Sequence, residues 1–381
     1  MNINDLLRKI AVILERRQDA LFSYDVEKQK KYIKKLGRPR DDIERSYFQY
    51  KCQMKFNGNI ITFLLNIASV PMILFYMFKN GKSLIEEDIE KKDAVFFRDG
   101  KPENILPNSL KEEFSYIETN PIEDFLLMKQ DKKFINKIIC RYPFSWHFIL
   151  KCIIKIAKYR YVIRRYTPSA IIVCAEYSFT ASILTLYCNQ NSIEHINVMH
   201  GEKLYYMRDS FFRFDRCYVW DKHYIKLLNQ LQADKNQFII EVPESLKFKN
   251  SEYYEIKYDY TYYLGSENEE ILQKIANTLK SLKDKGNKVS LRPHPRYSNI
   301  ELVKKLFYFA DIEDTSKVSV EKSLLRTNNA VSLYSTVLNQ AICNSISVVI
   351  DDISNTINYK KLESLEYVCL KKEHKLLSEL I

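Results

Sequence analysis

Two short stretches of the chain carry the residue types best suited to chemistry. Arg292, Pro293, His294, Pro295 and Arg296 set an imidazole between two guanidiniums, on backbone that two prolines restrict. They follow an apolar run, 288–291, that reads as a buried strand. Further on, Ser332 lies in the apolar run at 330–333, and Ser335 and Thr336 open a helix expected over 336–342. Forked guanidiniums, an imidazole and the open N–H groups of a helix start can together hold a phosphate or a carboxylate.

Ligands of open parallel sheets bind beyond the carboxyl ends of the strands. Four elements fall at such places. They are Glu176 after a strand expected at 170–174, His200-Gly201-Glu202 after one at 193–199, Arg292 to Arg296, and Ser332 to Thr336. If an acceptor hydroxyl is to attack an activated donor, a general base is needed with a proton affinity matched to the working pH. His200, Glu202 and Glu176 are the candidates, in no fixed order. His294 is placed to face a leaving phosphate, with Arg292, Pro295, Arg296, Ser332, Ser335 and Thr336 on the donor side. Each also has a plainer use: Glu176, Ser335 and Thr336 as helix caps, and His200 as the end of a strand. His147 sits in an aromatic run, and His195, His223 and His374 have no polar motif around them.

The elements that must position these groups follow a strand–helix grammar. Strands are expected at 93–97, 114–117, 170–174, 193–199, 216–220 and 237–242 in a first half, and at 260–264, 288–291, 330–333 and 347–350 in a second. Helices are expected over 121–165 with a break near Pro143, and at 180–189, 222–231, 267–282 (capped by Ser266) and 299–310. Continuous apolar strands alternating with helices imply parallel sheets joined by right-handed crossovers. The expected domains are a helical extension over 1–90, an acceptor domain over 91–250 and a donor domain over 257–381.

Several chemistries are excluded. With seven glycines the chain holds no G-x-G-x-x-G and no P-loop, and G-x-S-x-G and Asp-x-Asp are also absent. Eight scattered cysteines form no C-x-x-C pair, so neither a zinc site nor a redox motif is expected, only buried thiols in a reducing cytoplasm. No metal is called for. A net charge of +11 asks for an anionic partner. The densest basic segment is Lys28, Lys30, Lys31, Lys34, Lys35, Arg38 and Arg40. No nucleic-acid motif accompanies it, and an anionic membrane surface is the better fit. Residues 60–78 run without a charge, long enough to cross a bilayer. Asn66, Ser69 and Pro71 in its middle favour a buried or membrane-surface helix pair. The N-terminus lacks the layout of a signal peptide. A cytoplasmic protein, peripheral at the inner face of the membrane, is expected.

The His294-Pro295 pair followed by Ser335-Thr336 resembles bacterial sialyltransferases and polysialyltransferases of the GT-B fold. In those enzymes the His-Pro motif contacts the cytidine monophosphate of the donor, and a Ser/Thr motif binds its phosphate. The resemblance implies two Rossmann-like α/β domains with parallel sheets facing a cleft. It implies CMP-sialic acid as donor, a lipid-linked glycan as acceptor, and metal-independent inverting transfer without a cofactor. Their acidic base motif, Asp/Glu-Asp/Glu-Gly, is missing; its nearest equivalents are His200-Gly201-Glu202 and Glu176. The His-Gly element is similar to the CDP-glycerol glycerophosphotransferases of the same fold, where a His-Gly histidine is the base and a His-Pro histidine binds the donor phosphates. The resemblance spans roughly residues 170–350. It implies a transferase of capsule or O-antigen synthesis, with polyol-phosphate transfer as the alternative. A non-catalytic glycan- or lipid-binding scaffold is the alternative of another class.

Overall fold

The computed structural model describes residues 24–78, 88–101, 103–248 and 255–381. The chain divides into two compact units. The first holds residues 26–200 and 206–243, the second residues 201–205 and 244–381.

The first unit opens with three helices: α1 (Val26–Leu36), α2 (Asp42–Asn57) and α3 (Asn59–Phe78). The elements that follow are β1 (Ala94–Phe96), α4 (Asn108–Glu113), β2 (Ile117–Glu118), α5 (Lys129–Arg141), α6 (Trp146–Tyr166), β3 (Ala170–Val173) and α7 (Ala181–Gln190). β4 (Glu194–Val198), β5 (Arg216–Val219), α8 (Lys222–Gln230) and β6 (Phe238–Ile240) complete it. The six strands are all parallel, in the order β2-β1-β3-β4-β5-β6. Both faces of such a sheet are covered, which is why β1 and β3 are apolar at every position and wholly buried. Phe96, Ile172, Ile196 and Tyr218 pack on one face with Leu106 and Leu110.

The helices at 26–78 belong to this unit and do not stand apart as an extension. α2 starts where the Asp41 carboxylate accepts from the Glu44 N–H at 2.9 Å. Its Ser46 hydroxyl accepts from the Ile183 N–H at 2.9 Å, which fastens it to α7. A fully buried ion pair ties α5, α6 and α7 together: the Arg160 guanidinium donates to Asp131 at 2.7–3.0 Å, and the Tyr187 hydroxyl donates to the same carboxylate at 2.8 Å.

The second unit runs β7 (Tyr258–Tyr263), α9 (Glu269–Asp284), β8 (Val289–Arg292), α10 (Ile300–Leu306), β9 (Asp311–Ile312), α11 (Val320–Leu324), β10 (Thr327–Ser332), α12 (Thr336–Cys343), β11 (Ser347–Ile350), α13 (Thr356–Ser364) and β12 (Lys375–Leu376). Its six strands are again parallel, in the order β12-β11-β10-β7-β8-β9. Tyr262, Leu291, Val331 and Val349 form its core with Leu272, Ile275 and Leu279 of α9. Two Rossmann-like domains, the pair from which a GT-B fold is built, are therefore present.

Three local expectations are corrected. The helix after β7 is capped by Asn268, whose side chain accepts from the Ile271 N–H at 3.0 Å. Ser266 does not cap it, because Glu267 folds back to accept from the Gly265 N–H and the helix starts later. The second strand is only Ile117–Glu118, since the segment before it closes helix α4. Residues 59–78 form one continuous helix, not a pair, and most of its surface is uncovered. Pro71 removes one hydrogen bond on the outward face without ending it. All eight cysteines are free, six of them buried, with Cys140 exposed. Among the described residues no group of three or more His, Cys, Asp or Glu side chains is arranged to hold a metal.

Candidate functional site

In the first unit, the pairing of β3 with β4 decides which loop residues meet. Val173 is the register partner of Asn197. Glu176 and His200 each lie three residues beyond these partners, so parallel strands carry them to the same height past the sheet edge. The Asn197 side chain strengthens the match by accepting from the Ala175 N–H at 2.7 Å. The outcome is a contact of 3.4 Å between His200 Nδ1 and Glu176 Oε1. The carboxylate is 2% exposed, while the imidazole keeps 26% of its side-chain surface.

The two groups face each other at ion-pair distance without a formed hydrogen bond, an arrangement in which a buried carboxylate could orient one ring nitrogen of an imidazole. The Tyr177 ring meets His200 edge-on, with centroids 6.1 Å apart. The Arg208 guanidinium lies over the Tyr177 ring at 5.5 Å and pairs with Asp209 at 2.8 Å. Helix α2 fixes both loops from below. The Gln49 amide donates to the Glu176 and Arg208 carbonyls at 2.9 and 3.1 Å, and the Gln53 amide donates to those of Tyr177 and Arg208 at 2.6 and 3.3 Å. Sequence reasoning missed Gln49, Gln53 and Arg208. Nothing in their local pattern marks them, because the hydrogen bonds that join Gln49 and Gln53 to the two loops span more than a hundred residues.

Glu202 does not join this pair. The chain passes into the second unit after His200, and there the Glu202 carboxylate accepts from the Asn339 amide of α12 at 3.3 Å. The element His200-Gly201-Glu202 is thus divided between the units.

In the second unit, strand order reverses at β7, with β8 on one side and β10 on the other. Such a switch point opens a crevice at the carboxyl ends of the strands. The loop after β8 brings His294 to this edge, and the loop after β10 brings Ser335 and Thr336. His294 Nδ1 accepts from the Arg296 N–H at 3.1 Å, and its ring stacks on Tyr297 at 4.5 Å. Burial, and then the neighbouring Arg296, lower its pKa. With Nδ1 accepting, a neutral ring carries its proton on Nε2, which makes that nitrogen a donor. Ser335 caps α12 by accepting from the Val337 N–H at 3.2 Å, and Thr336 is exposed as the first helical residue.

Two of the other donor-side residues have structural partners. Arg292 donates to Glu313 at 2.9 Å and to the Val318 carbonyl at 2.8 Å, in an ion pair with both side chains below 10% exposure. It is not presented as an anion clamp. The Ser332 hydroxyl donates to the Tyr263 carbonyl at 2.9 Å and stitches β10 to β7. Pro295 and Arg296 are exposed.

No family model matches the chain, and no curated protein matches it in sequence. Solved structures match it at low identity. A structure of the wall teichoic acid polymerase TagF with CDPG is 13% identical, with 80% of this chain and 79% of that one covered at a TM-score of 0.39. The UDP-GlcNAc 2-epimerase from Neisseria meningitidis bound to UDP-GlcNAc is 12% identical, covering 70% and 84% at 0.42. TarM from S. aureus, in a complex that includes UDP, is 12% identical, covering 55% and 52% at 0.36.

Proposed function

We propose that this chain is a transferase of bacterial surface-polymer synthesis acting on a nucleotide-activated donor. His200 is its general base, Glu176 the acid that orients it, and the His294–Ser335 edge of the second unit the seat of the donor phosphate. The observation that carries the reading is the Glu176–His200 pair, held at matched height by β3 and β4.

The chemistry follows from that pair. Glu176 faces Nδ1 of the imidazole at 3.4 Å, and the other ring nitrogen takes the proton of an acceptor hydroxyl. The freed oxygen lone pair attacks the activated centre of the donor as the bond to the nucleotide phosphate breaks. In the second unit, the groups suited to the charge that develops on a leaving phosphate are His294 Nε2–H and the N–H of Thr336 at the start of α12. In this reading no metal and no cofactor takes part.

A histidine base favours transfer of a polyol phosphate from a cytidine-activated donor, as the His-Gly resemblance implies. The sialyl reading, with CMP-sialic acid as donor, is the second one. It is favoured by His294-Pro295 together with Ser335-Thr336 and lacks the acidic base motif. A thermal-shift panel of CMP-, CDP-, UDP- and GDP-activated donors, followed by labelled transfer, separates them. Stabilisation by uridine donors alone overturns the cytidine assignment, and silence from every nucleotide favours a binding scaffold. His200→Ala is expected to lower turnover by about 10²–10⁴-fold while the donor-induced shift persists. Full turnover in both His200→Ala and Glu176→Gln would place the base elsewhere.

A further inference from the structure

Helix α3 is amphipathic in the reverse sense of a water-exposed helix. The polar side chains in its middle lie on the less exposed side, where they bond back to the helix's own carbonyls or to α6. Thr62 Oγ1 donates to the Gly58 carbonyl at 2.8 Å, Asn66 Nδ2 to that of Thr62 at 2.9 Å, and Ser69 Oγ to that of Leu65 at 2.7 Å. Asn66 Oδ1 accepts from the His147 N–H at 3.1 Å. The outward face carries Ile60, Phe63, Leu64, Ile67, Phe75 and Phe78, each 49–81% exposed. A continuous apolar face of this extent is costly in water and marks a contact surface.

Charge at the start of the helix selects the occupant. Lys55, in the last turn of α2, lies over the Tyr32 ring of α1 at 5.8 Å. That contact brings α1, with its exposed Lys31, Lys34 and Lys35, to the end of the chain from which α3 departs. A run of lysines beside an apolar face, on a chain of net charge +11, complements an anionic lipid surface. Among the described residues α3 is the helix long and apolar enough to cross a bilayer. It packs along α6, however, with Tyr76 stacked on Phe125 at 5.0 Å near its far end. α6 carries Lys151, Lys155 and Lys158, whose charges a crossing would drag into hydrocarbon.

We propose that α3 lies in the plane of an anionic membrane, its outward face among the acyl chains and the lysines of α1 and Lys55 at the headgroups. The placement has a consequence for the acceptor, and that clause rests on the function proposed above. At one end, Gln53 of the neighbouring α2 holds the Tyr177 and Arg208 loops beside His200. At the other, Phe125 lies two residues from Glu123, which with Asp99, Lys158 and Phe97 lines a cavity beyond the β1 and β3 strand ends. Docking along α3 sets this acceptor edge at the membrane surface, which suits an acceptor hydroxyl carried on a lipid-anchored molecule.

Flotation of the full chain with phosphatidylglycerol-containing and with pure phosphatidylcholine vesicles tests the docking. The wild type is expected to float with the anionic vesicles. Phe63→Glu combined with Ile67→Glu should weaken that binding by about tenfold or more per residue, since each change removes an apolar side chain that docking would bury among the acyl chains. Gln in place of Lys31, Lys34 and Lys35 should weaken it by about fivefold per charge, on anionic vesicles only. An environment-sensitive dye on Phe63→Cys should shift to the blue on adding vesicles. Wild-type protein that stays unbound with an unshifted dye overturns the proposal. So does a dimer in light scattering that Phe63→Glu dissociates, which would make α3 a face between copies. Transfer to a water-soluble acceptor should survive in the Phe63/Ile67 variant. If flotation holds and His200 proves dispensable, the docking stands and only the acceptor clause falls.

Discussion

His195 is the histidine whose protonation should control acid stability. It is fully buried on β4, with Nε2 3.0 Å from the Tyr159 hydroxyl and Nδ1 2.8 Å from the Thr185 hydroxyl. Burial, reinforced by the charge of Arg213, drops its pKa from the ordinary 6.5 to about 3. The folded imidazole therefore holds its proton less tightly than the unfolded one, and the unfolded state binds more protons between these two values. The stability this contributes is complete above the unfolded pKa and is lost as the pH falls toward the folded one. At pH 5 the unfolded imidazole is almost wholly protonated and the folded one is neutral, which costs the folded state about 2 kcal/mol relative to pH 7.

The assay is urea unfolding followed by tryptophan fluorescence at pH 7 and at pH 5. Both tryptophans, Trp146 and Trp220, lie in the unit that holds His195, so the signal reports that unit. His195→Gln will itself lower stability at pH 7, through imperfect replacement of two hydrogen bonds. Its loss between pH 7 and pH 5 should nonetheless be smaller than the wild type's by about 2 kcal/mol. His147, lowered to about 4 mainly by burial, remains in both proteins and cancels in the difference. Equal losses in variant and wild type would refute the buried neutral imidazole.

Three further outcomes follow from the same contacts. Asp131→Ala strands the Arg160 guanidinium in the core and should destabilise the first unit by about 3–5 kcal/mol, read by the same fluorescence. Arg292→Ala should destabilise the second unit by about 3 kcal/mol in calorimetry by leaving Glu313 buried without its partner; an unchanged melting temperature with lost donor binding would return Arg292 to the donor site. Ser335→Ala should cost about 1 kcal/mol as a lost helix cap and His294→Ala little stability, whereas each should weaken donor binding by about 1.5–3 kcal/mol in calorimetric titration.

The parallel α/β class was legible in the residues alone, because strands buried on both faces are apolar along their length, and runs such as 170–173 and 348–350 show this without reference to any partner. The sequence by itself also determined that Glu176, His200, His294 and Ser335 lie just past strand ends, since that depends only on where each run stops. Pairings were decided in three dimensions. His200 and Glu202 are two residues apart yet fall in different units, while His200 meets Glu176 across 23 intervening positions of sequence because β3 and β4 pair with Val173 opposite Asn197. Arg292 and Arg296 are equal as letters in the same motif. Only the arrival of Glu313 from the next strand turns one into a buried structural cation and leaves the other at the surface. The apolar run at 60–78 announces a helix and not its environment; helix geometry aligns Thr62, Asn66 and Ser69 on one side, where Asn66 meets the start of α6, and leaves Phe63, Phe75 and Phe78 exposed.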